Sequence, residues 1–138
     1  MNDSYIKLIG DWKVVSSNYL PFDHPSFCEE LELGSVFNFD KYGFVEIFIS
    51  ENSKTNCNKT QSYWIDSTRI IIFEYDVGFE YDILKLTNDS LVMESEWLQK
   101  SNIERLTTEK IMKIDTLDIN SDSAIKLKIE LIKINNGG

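Results

Sequence analysis

The chain has 138 residues, with 14 Lys and Arg against 23 Asp and Glu, a single His and a formal charge of −9. That length suits one domain over 1–138 with a sizeable core, which needs no metal or disulfide to fold. The acidic balance argues against nucleic acid and an anionic membrane surface, because both recruit clustered cations, and it favours a cationic partner.

The opening Met1-Asn2-Asp3-Ser4 carries no basic or apolar leader, and no stretch approaches the ~20 apolar residues of a membrane span. A soluble chain without membrane insertion is expected, either cytoplasmic or an exported mature domain. Tyr5 to Ile9 reads as a short helical turn that plugs one end of a barrel. Leu8-Ile9-Gly10-Asp11-Trp12-Lys13-Val14-Val15 then passes from an apolar lead through Gly-x-Trp into a strand.

Strand-like runs follow at about ten-residue spacing, the signature of an antiparallel sandwich or barrel. They are Trp12–Tyr19, Leu33–Phe39, Gly43–Ile49, Gln61–Ile65, Arg69–Tyr75, Gly78–Leu86, Ser90–Leu98, Glu109–Ile119 and Ala124–Ile134. Asp40-Lys41-Tyr42-Gly43 and Asp66-Ser67-Thr68 are tight connections, as are Asp76-Val77-Gly78 and Thr87-Asn88-Asp89-Ser90. Two connections read as long loops, Leu20–Glu32 with both prolines and Ser50–Thr60.

In the last run Ile125, Leu127, Ile129 and Leu131 alternate with charged residues, so one face is buried and the other wet. In Val36–Ile49 both faces are apolar. Phe37, Phe39, Val45, Ile47 and Ile49 share one parity, and Val36, Phe44 and Phe48 share the other. An outer face of that kind calls for a cover, from a terminal segment, a second subunit or a partner.

Gly10-Asp11-Trp12, the hairpin Val36–Gly43, and the stretch from Tyr63-Trp64-Ile65 to Ser90-Leu91-Val92-Met93-Glu94 together resemble the small lipocalin-like domains common in Bacteroidetes. The likeness covers about residues 5 to 98. It implies an all-β, antiparallel, up-and-down lipocalin-like barrel of about eight to nine strands, with Gly10 turning the chain into the first strand and Trp12 filling the closed end. Lipocalins usually lay a late-strand arginine over that tryptophan. The arginines here are Arg69 and Arg105, and the last run offers lysines instead, which puts that seal in doubt.

Nothing points to catalysis. His24 lies in an expected loop without a nucleophile partner, and Cys28, Cys57 and His24 lack metal-ligand spacing. No Gly-rich phosphate loop is present, so no enzyme, metal or cofactor is expected. The two cysteines allow one disulfide or two free thiols.

Two binding roles remain. The first is a small apolar or amphipathic ligand inside the barrel, against Tyr63, Phe73, Tyr75, Phe79, Tyr81, Met93 and Trp97, although the same side chains could simply fill the core. The second is an immunity protein or inhibitor that neutralises a basic toxin or enzyme. Its contact surface would be Glu29, Glu30 and Glu32 in the first long loop and Glu74, Asp76, Glu80 and Asp82 around one hairpin.

Overall fold

Alternation decides most of the strands. The computed structural model of the chain describes residues 3–20, 22–24, 28–51, 61–74, 77–95 and 126–135. Helix α1 (Asp3–Leu8) has Asp3 in its first turn and Lys7 in its last, charges that suit the two ends of a helix dipole. Strand β1 (Gly10–Ser17) leads to a hairpin of β2 (Phe22–His24) and β3 (Cys28–Leu31). A meander follows through β4 (Val36–Phe39), β5 (Phe44–Phe48), β6 (Gln61–Ile65), β7 (Arg69–Glu74), β8 (Val77–Leu86) and β9 (Ser90–Ser95), and β10 (Leu127–Asn135) completes the set.

All strand pairs are antiparallel, and β1 bonds to both β4 and β10, which closes an eight-stranded barrel. Closure leaves none of these eight strands with an unpaired edge. The inward residues are the apolar parity of each run. Tyr63 and Ile65 of β6, Leu91 and Met93 of β9, and Leu127, Ile129 and Leu131 of β10 are buried in one core.

The tight connections rest on aspartates. Asp40 Oδ1 accepts the N–H groups of Tyr42 at 2.8 Å and Phe44 at 3.0 Å, while Gly43 takes a φ of +90°. Asp66 Oδ1 likewise accepts from the N–H groups of Thr68 and Arg69. A short polar side chain that mimics a backbone turn is why Asp stands at both corners.

One expectation about the fold needs revision. The stretch Leu20–Glu32 is not a plain loop, because it holds the β2–β3 hairpin, with Phe22 paired to Leu31 and His24 to Cys28. Strands this short, with a proline on each side of β2, leave no period to read, yet Leu31 is fully buried. The expected strand Glu109–Ile119 lies outside the described residues, and so does the loop at 52–60. The two-sided run resolves cleanly: Phe37, Phe39, Val45 and Ile47 enter the core, and Val36, Phe44 and Phe48 face outward. Val36 is nonetheless buried, while Phe44 and Ile49 beyond the strand are exposed.

Candidate functional site

The register gives the barrel two unlike ends. At the end where β1 begins, α1 closes the barrel. Trp12 is fully buried, and its Nε1–H donates to the Leu8 carbonyl at 2.7 Å. Tyr5 stacks on Tyr63 and donates its hydroxyl to the Lys41 carbonyl. Tyr63 in turn meets Phe39 edge-on, with ring centroids 5.0 Å apart, and donates to the Asp40 carbonyl at 2.6 Å.

Lys133 finishes this end. Its Nζ lies 5.0 Å from the centroid of the Trp12 ring and donates to the Lys7 carbonyl at 2.6 Å. The doubt about the seal is thereby resolved: a lysine of β10 holds the cationic position over the tryptophan. Parity marks it in the sequence, since Ile129, Leu131 and Lys133 share the inward face and Trp12 pairs with Lys133. Gly10 makes room. Its φ is +139°, and a Cβ there would sit 2.5 Å from the Asn135 carbonyl oxygen and 3.3 Å from Lys133 Cε. Burial pulls the Lys133 ammonium below its ordinary value.

Toward the other end, where β9 reaches Ser95, the interior changes character. The buried polar residues Ser35, Gln61 and Ser95 lie at or beside strand termini, and the Ser35 hydroxyl donates to the Ile49 carbonyl at 2.7 Å. Tyr81 and Met93 are fully buried on the inner wall. Phe79 lies beyond Tyr81 on the same inner face, because Ile72 pairs with Phe79 and Ile70 with Tyr81. It is only half-buried, so solvent reaches the inner wall at this end.

The expected ligand wall is therefore divided. Tyr63 is committed to packing the Trp12 end, whereas Phe79, Tyr81 and Met93 share the inner face of β8 and β9. Tyr75 and Trp97 lie outside the described residues. Phe73 is a correction, because it faces outward. Ile70 and Ile72 fill the core, which places Ile71 and Phe73 on the outer wall, where both lie against Gly78. β7 is apolar on both parities, so its sequence alone does not say which face turns inward.

The acidic residues are also dispersed. Glu29 and Glu30 are strand residues of β3, and Glu32 follows it, its N–H donating to Ser35 Oγ. Glu74 ends β7, and Asp76 lies outside the described residues. Glu80 is not a free charge of an acidic patch: Arg69 holds it at 2.6 Å and also stands 5.7 Å from the Trp64 ring centroid. Asp82 is the cross-strand partner of Arg69. These contacts raise the Arg69 pKa, chiefly through its hydrogen bond to Glu80. Among the described residues, no group of three or more His, Cys, Asp and Glu side chains is placed to hold a metal ion.

The decisive comparison is with the family model of the lipocalin-like domain, which matches residues 8–93. The chain belongs to the lipocalin-like domain family. The match begins at Leu8, spans the Trp12 motif and the meander through β9, and stops at Met93. The barrel of this lipocalin-like domain is completed by β10, beyond the matched residues, and β10 supplies Lys133. A search of curated proteins finds no match. The lipocalin-like fold is in general a binding fold rather than a catalytic one, and its use is set by the particular site it carries.

Proposed function

We propose that this lipocalin-like domain is a non-enzymatic binding protein of bacterial type that takes a small apolar or amphipathic molecule into the half of its barrel toward Ser95. The observation that carries this reading is Phe79, an inward aromatic that solvent still reaches, standing above the buried Tyr81 and Met93. Buried Gln61 and Ser95 add polar atoms to an otherwise apolar wall, a lining that suits an amphipathic guest. The Trp12 end offers no such room, because α1, Trp12, Phe39, Tyr63 and Lys133 occupy it together. The bacterial assignment rests on the likeness of the Gly10–Trp12 and Val36–Gly43 motifs to Bacteroidetes domains.

The inhibitor reading draws on the net charge of −9, but its hairpin is tempered by Arg69, which pairs with Glu80. A titration with the neutral fluorescent probe N-phenylnaphthylamine tests the proposal. Saturable one-to-one enhancement is expected with the native chain, and its loss is expected in Phe79→Arg if the variant keeps the native circular dichroism spectrum. Absence of saturable binding, or equal binding by a folded Phe79→Arg, would count against an interior site.

A further inference from the structure

The outer wall carries a groove that the interior reading does not use. It crosses β5, β4, β1 and β10, has a volume of about 350 Å³, and is floored by Val36, Phe48 and Ile134. That size is at the low end of small-molecule sites, roughly 300–1,000 Å³, and suits one or two side chains better than a cofactor. Its rim includes Asp11, Glu51 and Asn135, and both charged residues in its lining are acidic.

Asp11 and Glu51 each have one modest partner. Glu51 meets Lys13 at 3.8 Å, a half-exposed and solvent-screened pair, and Asp11 accepts a hydrogen bond from the neutral amide of Asn38. Glu46 is the cross-strand partner of Asn38 and adds a third carboxylate to the same outer face. Ile132 and Val15, both exposed, stand on the same outer face beyond Lys13, which is the cross-strand partner of both Val36 and Ile132. An apolar floor inside an acidic rim selects one kind of occupant.

The geometry points to a basic polypeptide segment as that occupant: an aliphatic or aromatic side chain seated on Val36, Phe48 and Ile134, with Lys or Arg on either side facing Asp11 and Glu51. A second copy of this chain is the poorer fit, because it would bring Asp11, Glu46 and Glu51 against their own like charges in a molecule of net charge −9. The groove is on the outside of the barrel, so the site stands or falls independently of any ligand within.

The test is a heteronuclear NMR titration of the full chain at low salt with the capped pentapeptide Gly-Arg-Leu-Arg-Gly. Gly-Glu-Leu-Glu-Gly and Gly-Arg-Ser-Arg-Gly serve as controls. The basic, leucine-bearing peptide is expected to shift the amides of Val36, Phe48 and Ile134, with binding that weakens as salt is added. Glu51→Gln and Ile134→Thr, each checked for an unchanged amide spectrum elsewhere, are each expected to weaken it about threefold. Equal shifts with the acidic peptide, or shifts confined to the inner wall at Phe79, overturn the proposal. So does a groove whose amides respond to protein concentration alone, which would identify a second copy as the occupant.

Discussion

Gly10 and Gly43 both have positive φ, but their surroundings differ. At Gly43 an added Cβ meets nothing within 4 Å, so Gly43→Ala should cost only the left-handed conformation, about 1 kcal/mol. At Gly10 the same methyl runs into the Asn135 carbonyl and the Lys133 stem, so Gly10→Ala should cost about 3 kcal/mol in urea unfolding. Equal losses at the two positions would contradict this account of the close approach. Lys133→Ala removes both the cation over Trp12 and the bond to the Lys7 carbonyl, for an expected loss of about 1–2 kcal/mol. Lys133→Arg should restore most of it, whereas simple loss of a charged surface residue would predict no such rescue.

Between α1, β4 and β6 the linking group is Tyr63. Burial first, then Tyr5 and Asp40, hold its hydroxyl protonated far above the ordinary tyrosine value of 10.0. The unfolded chain releases that proton near pH 10, so above this pH the folded state binds one proton more than the unfolded state. The contribution is intact below pH 10 and is lost as the pH rises past it, by up to about 1.4 kcal/mol per pH unit. Urea unfolding from pH 8 to 11 should show wild type losing stability relative to Tyr63→Phe, and parallel curves would refute the linkage. Strands were legible where one parity is polar, as in Gln61–Ile65 and Leu127–Leu131. The face of Phe73 was not legible, because Arg69–Glu74 has apolar residues on both parities and only pairing with β8 orients it. The hairpin β2–β3 was hidden for a different reason: its strands are too short for a period, and its stability comes from tertiary contact through Leu31.

For the molecule as a whole, the barrel is asymmetric along its axis. One end is sealed by a helix, a tryptophan and a lysine, and the other carries polar atoms and a half-buried aromatic on its inner wall. Gly10-Asp11-Trp12 announced the sealed end in the sequence. The candidate site was only half legible, since composition marks Phe79, Tyr81 and Met93 as bulky but does not distinguish a guest's wall from a filled core. That distinction depends on depth along the barrel, which only closure by β10 defines. The most direct test is isotope-filtered NMR of the labelled chain saturated with octanol. The account predicts intermolecular NOEs from the alkyl chain to the Phe79 ring and the Met93 methyl, with none to Trp12. Contacts confined to Val36 and Ile134 on the outer wall, or no bound octanol at saturation, would contradict it.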